Sequence, residues 1–182
     1  AGAGPREGAN AYLTNVNLIA TAWAFDQKHG EIYLYIDNSG STEANMIKGG
    51  LYRFKIADML KNPNPSADDF AAALNLQLID GSPVMYEGNA TNEHVGISQL
   101  AIDEEGEYLY WCYRAPSPEE AAANEAQDYK AQSAGKYWWA DKYDAENPLH
   151  QSGIKRIHLG EATPVVEMVK AGVTGYGIAP FQ

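Results

Sequence analysis

Internal repetition is the feature that most constrains this chain. Ala24-Phe25-Asp26-Gln27-Lys28-His29-Gly30-Glu31-Ile32-Tyr33-Leu34-Tyr35 and Ala101-Ile102-Asp103-Glu104-Glu105-Gly106-Glu107-Tyr108-Leu109-Tyr110 spell one pattern. Each runs through Ala, an apolar residue, Asp, a charged tip and Gly-Glu into an aromatic-aliphatic stretch, with a single extra residue in the first turn on this alignment. Each reads as a hairpin, because a strand ending at Asp, a polar tip and a glycine free to take positive φ return the chain antiparallel. A second pair follows, Gly50-Leu51-Tyr52-Arg53-Phe54-Lys55-Ile56 and Gly153-Ile154-Lys155-Arg156-Ile157-His158-Leu159, both Gly, aliphatic, any, Arg, apolar, any, aliphatic. Alternation of this kind marks half-buried strands. Pro83-Val84-Met85-Tyr86 and Val165-Val166-Glu167-Met168-Val169 supply a fourth apolar strand for each unit.

Four antiparallel strands repeated in tandem predict an all-β chain of β-propeller type, an incomplete set of four-stranded blades with two short helical insertions. The first blade is expected over about 18–88 and the second over about 95–171. The start of a third falls at 173–182, where Gly175-Tyr176-Gly177-Ile178-Ala179-Pro180-Phe181 resembles a first strand. The hairpins and the strand Leu109-Tyr110-Trp111-Cys112 resemble the YWTD repeat of lipoprotein-receptor propellers and, more loosely, NHL repeats and gluconolactonase-like propellers. Cys112-Tyr113 stands where the YWTD pattern has Thr-Asp, so the polar network between blades that the Asp makes in that family is not carried over. The resemblance implies the fold and the rule that ligands meet the loop faces.

The loops set the two copies apart. Between its second and third strands the second repeat carries about 27 extra residues, from Arg114 to Ser152, long enough to suggest a functional loop. Ser117-Pro118-Glu119-Glu120 ahead of the alanine-rich 121–127 predicts a short capped helix there. Farther on, Tyr137-Trp138-Trp139-Ala140-Asp141-Lys142-Tyr143 places four aromatics in an otherwise polar loop. The first repeat has its own insert between the third and fourth strands, where Ser66-Ala67-Asp68-Asp69-Phe70-Ala71-Ala72-Ala73-Leu74 predicts a second short helix. The two inserts are expected to decorate opposite loop faces.

Charge narrows the partners. With 13 basic against 24 acidic residues, a net charge of −11, the chain lacks the cations that a nucleic-acid backbone requires. No apolar run reaches the length of a membrane-spanning helix. The single cysteine, Cys112, allows no disulfide framework and reads as a buried strand residue. The acidic, tyrosine-rich and lysine-poor composition, with Ala1-Gly2-Ala3-Gly4-Pro5 at the start, points to an extracytoplasmic location.

Aromatic planes beside polar hydrogen-bonding groups suit a sugar or another flat polar ligand. The candidate ligand-binding residues are therefore Tyr137, Trp138 and Trp139 for stacking, with Asn92, His94, Arg114 and Asp141 as orienting groups. His29, His94, His150 and His158 show no metal-ligand spacing, and no nucleophile elbow, phosphate loop or dinucleotide fingerprint occurs. Neither a metal nor another cofactor is expected. Asn89-Ala90-Thr91 fits a glycan acceptor. The leading expectation is a non-catalytic ligand-binding module, followed by a protein-interaction scaffold of a larger propeller and then by a lactonase- or lyase-type enzyme. Two blades leave sheet edges and faces uncovered, so further blades, from the same protein or from a homo-oligomer, are the expected partners.

Overall fold

The computed structural model describes residues 20–36, 50–65, 69–81, 96–115, 144 and 146–173. They form two four-stranded antiparallel sheets in simple meander order, β1-β2-β3-β4 and β5-β6-β7-β8. The first comprises β1 (Ala20–Asp26), β2 (Glu31–Ile36), β3 (Gly50–Lys55) and β4 (Gln77–Gly81); the second comprises β5 (Gly96–Ile102), β6 (Tyr108–Arg114), β7 (Gly153–His158) and β8 (Glu167–Ala171). Two short helices, α1 (Ile56–Lys61) and α2 (Phe70–Ala73), connect β3 to β4, and a 3-10 turn, Pro148–His150, precedes β7.

The fourth strands differ from expectation. In the first sheet β4 is Gln77–Gly81, and Pro83-Val84-Met85-Tyr86 lies outside the described residues. In the second, β8 starts at Glu167, leaving Val165 exposed ahead of it. The helix expected near Ser117 also falls outside the described residues, as do residues 174–182.

The two sheets share one pairing scheme throughout. Ala24 pairs with Tyr33 as Ala101 pairs with Tyr110, and Ile36 pairs with Gly50 as Tyr113 pairs with Gly153. Arg53 pairs with Gln77 as Arg156 pairs with Glu167, each just beyond an irregularity at the same place, Leu51/Tyr52 and Ile154/Lys155. The shared glycine at the head of β3 and β7 has a steric cause. A Cβ on Gly50 would lie 2.7 Å from the Asp80 carbonyl, and one on Gly153 would collide with the Lys170 carbonyl, so the fourth strand can approach only a glycine.

This register corrects the alignment of the hairpins. Asp26 pairs with Glu31, and Asp103 bonds through its N–H to the Tyr108 carbonyl, so both turns hold four residues and neither has an extra one. The glycine has moved by one place within the turn, and Glu107 belongs to the turn while Glu31 belongs to the strand. Because side chains alternate, a one-residue slip reverses every face. The true counterpart of Tyr110 is Tyr33, not Leu34, and Arg53 and Arg156 occupy corresponding faces, called here the arginine faces.

The sheets pack through unlike faces. The arginine face of the first sheet contributes Ala22, Tyr33, Tyr35 and Leu51 to a core completed by Leu100, Leu109, Trp111, Tyr113 and Ile157 from the opposite face of the second sheet. The first strands, β1 and β5, lie against each other at one margin. The first sheet's own opposite face is covered by the helical insert. Leu74, with Ile56, Met59, Phe70 and Leu76, packs on Ile32, Leu34, Ile36, Tyr52 and Phe54. That insert was expected at a loop face, but its apolar side chains lay it across the sheet. All six residues of β2 are consequently buried.

Burial also sets how the fold responds to alkali. Desolvation, aided by a hydrogen bond to Glu31, raises the Tyr33 hydroxyl well above its ordinary value of 10.0, and desolvation pushes Tyr52 up to about 12. Above pH 10 the unfolded chain releases protons that the native chain keeps, so native stability declines as pH rises. With two such groups the slope reaches up to about 2.7 kcal/mol per pH unit. Urea denaturation between about pH 9 and pH 11.5 should show this decline, and the Tyr33→Phe/Tyr52→Phe variant should lose most of it. A pH-independent midpoint in the parent chain would contradict the assignment.

Candidate functional site

Polar side chains buried between the sheets hold them in a fixed relation. Lys155, on β7, would read from sequence as a solvent-facing residue. Its side chain is fully buried, with Nζ 2.7 Å from Asp80 Oδ2 on β4 of the first sheet and 4.1 Å from the centre of the Tyr113 ring. Burial raises the Asp80 carboxyl above its usual range. The Lys155 ammonium opposes this most strongly. An ammonium in such a place persists only with a counter-charge and a ring face beside it.

A second clamp lies toward the hairpin turns. Arg53 donates from Nη1 to the Glu161 carbonyl and from Nη2 to the Ala162 carbonyl, each at 2.7 Å, reaching the β7–β8 turn of the other sheet. Its Nε donates to Gln77 Oε1 at 3.1 Å, and Nη1 lies 3.4 Å from Glu31 Oε2, which also accepts the Tyr33 hydroxyl at 2.7 Å. The receiving turn is shaped for the contact. Gly160 has φ of +76°, and a Cβ there would lie 2.6 Å from the His29 ring. His29 is itself held by Asp26 through both backbone N–H and Nδ1.

At the other end of the sheets lie Arg114 and the strand ends that flank the segments carrying the other predicted ligand residues. Arg114 ends β6 and pairs with Gly96, the first residue of β5. Beside it the Ala115 N–H donates to Ser152 Oγ at 2.9 Å, and the Ser152 carbonyl accepts from Gly172. The buried His150 accepts through Nδ1 from the Asp144 N–H at 2.8 Å, and Asn147 caps the 3-10 turn through the Leu149 N–H. The segment carrying Tyr137, Trp138, Trp139 and Asp141 leaves from Arg114 and returns at Gly153. The segment carrying Asn92 and His94 leaves from Gly81 and returns at Gly96. Gly81 pairs with Gly50, and Gly153 pairs with Tyr113, so all four anchor points lie at this one end. Those six residues themselves lie outside the described residues; Arg114 is the predicted ligand residue that is described.

Among the described residues no group of three or more His, Cys, Asp or Glu is arranged to hold a metal ion, and no helix is long and apolar enough to cross a membrane. Cys112 is buried, and burial raises its thiol. Comparison with protein-family models, with curated proteins and with solved structures gives no match.

The ion pair can be tested directly. Lys155→Ala leaves Asp80 buried without its counter-charge and should cost about 3–5 kcal/mol, whereas Asp80→Leu/Lys155→Met should recover most of that loss. Urea denaturation of the two variants and the parent measures both effects. A parent-like midpoint for Lys155→Ala would show that the pair does not hold the sheets together.

Proposed function

We propose that the chain is a non-catalytic extracytoplasmic binding module built from successive blades of a β-propeller, with a glycan or another polar small molecule as ligand at the Arg114 end. The observation that carries the propeller part is the stacking of unlike faces: two sheets of identical register, in meander order, meet arginine face against opposite face with their first strands adjacent. Successive propeller blades are related in this way, whereas a two-fold sandwich of copies brings like faces together. Such stacking makes a rigid support from which loops at one end can converge on a ligand.

Two features support the ligand part. Both loop segments that carry the candidate residues are anchored at one end of the stack, and Arg114 stands there beside Ser152. Tyr137, Trp138 and Trp139 supply stacking faces, while Asn92, His94, Arg114 and Asp141 supply orienting hydrogen bonds. A protein-interaction scaffold is the second reading. It is favoured by Trp23 and Phe25 on β1, exposed at 62% and 46% and in edge-to-face contact at 4.9 Å, since such aromatics anchor protein interfaces.

A glycan array followed by thermal-shift titration separates the two readings. Trp138→Ala and Trp139→Ala should each weaken sugar binding by about tenfold, and Arg114→Ala by a similar factor, without lowering the unfolding temperature of the free protein. Undiminished binding in all three variants would remove the proposed site. A protein partner lost on Trp23→Ala, with no response to sugars, would favour the scaffold.

A further inference from the structure

The outer surface of the second sheet repeats the construction of the surface that the first sheet buries. Arg156 occupies the place of Arg53 and is positioned in the same manner, its Nε donating to Glu167 Oε2 at 2.8 Å where Arg53 uses Gln77. Tyr110 stands in the place of Tyr33 beside it. Yet the Arg53 side chain is 6% exposed and that of Arg156 is 32% exposed. Arg156 has no backbone carbonyl partner among the described residues. Val169, in the place of Ile79, is 48% exposed, whereas Ile79 packs against the core between the sheets.

We propose that the arginine face of the second sheet docks a third four-stranded sheet, the next in the same polypeptide, and that Arg156 binds two carbonyls of its third-to-fourth-strand turn. The proposal rests on the blade reading above and names the partner of one face. The occupant follows from the interface already described, in which the sheet covering an arginine face is the one that comes next along the chain. A second copy of this chain does not meet the requirement. Its second sheet already covers its first, and its first sheet has α1 where the tight turn should be, with the Asp58 carbonyl taken by the Asn62 N–H. Charge narrows the partner further. Lys170 holds the place of Asp80, so the third sheet brings an acidic or neutral side chain, not a lysine, opposite it.

Arginine labelling with phenylglyoxal, read by mass spectrometry, tests this on the 182-residue chain and on the complete product of its gene. Arg53 should be protected in both. Arg156 should react in the chain and lose about tenfold in reactivity in the complete product. Arg156→Ala should lower the unfolding temperature of the complete product by roughly 4 °C while leaving that of the chain unchanged, and Arg53→Ala should lower both. Equal reactivity of Arg156 in the two proteins would overturn the proposal. So would protection that appears only as light scattering shows the mass doubling, which would make a second copy the occupant. Free labelling of Arg53 in the chain would instead overturn the stacking of the two sheets, and with it the blade reading.

Discussion

The fold depends on a charge that the chain places where water cannot reach. Lys155 is buried between two sheets and is tolerated there because Asp80, from the other sheet, meets its ammonium at 2.7 Å while the Tyr113 ring faces it at 4.1 Å. An ion pair of this kind contributes little net stability over an apolar pair of the same volume, but removing either member is costly. Its effect is therefore on geometry. Apolar contacts between Tyr35, Leu51, Trp111 and Ile157 would survive small slides of one sheet over the other, whereas a buried ion pair, together with the Arg53 bonds to two turn carbonyls, fixes both ends of the interface at once.

The same interface explains why the chain can repeat a sheet without repeating its surfaces. Both copies keep the pairing, the strand irregularities and the glycine at the head of the third strand, because those are demands of the sheet itself. The faces are free to diverge. The first sheet takes the helical insert on its opposite face, and the second sheet presents Leu109, Trp111, Lys155 and Ile157 on the equivalent face to its neighbour. An insert between β3 and β4 thus does the work that a neighbouring sheet does for the second copy. Trp23, Phe25 and Leu78 remain exposed at the margins of the face the insert covers.

Much of the sheet architecture was legible in the sequence, since the paired Gly-aliphatic-any-Arg segments and the tyrosine-rich hairpins recur at strand period. Register was not. The turn glycine, a conspicuous landmark, moves by one place between Gly30 and Gly106, and only hydrogen bonding reveals that both turns hold four residues. The error matters because it assigns Leu34 and Tyr110 to the same face. The fourth strand of the first sheet was missed because Gln77-Leu78-Ile79-Asp80-Gly81 carries three polar or small residues and its Asp is buried by a partner far along the chain. Lys155 was equally hidden, since an alternating strand with a lysine reads as turning that lysine outward. At the candidate site the sequence could name aromatic and polar residues, while their common anchoring at one end emerges from the pairing of Gly81, Gly96, Arg114 and Gly153.

Charge at the interface also specifies the order in which sheets of one shape can stack. Two sheets with the same register offer similar backbones to any partner, so shape alone does not keep the second sheet from docking on a copy of itself. The side chains do. Such a stack would set Lys155 against Lys170, which replaces Asp80 in the second sheet, and two ammonium groups facing each other in a water-poor interface cost far more than the apolar contacts there return. The first sheet on a copy of itself would bring Tyr52 to Asp80, leaving a carboxylate without its cation, and would have to displace Leu74 and the helical insert. Of these pairings, the one that satisfies every buried charge is the first sheet followed by the second. The sequence of charges along the fourth strands thus acts as an assembly code, separate from the pattern that makes each sheet.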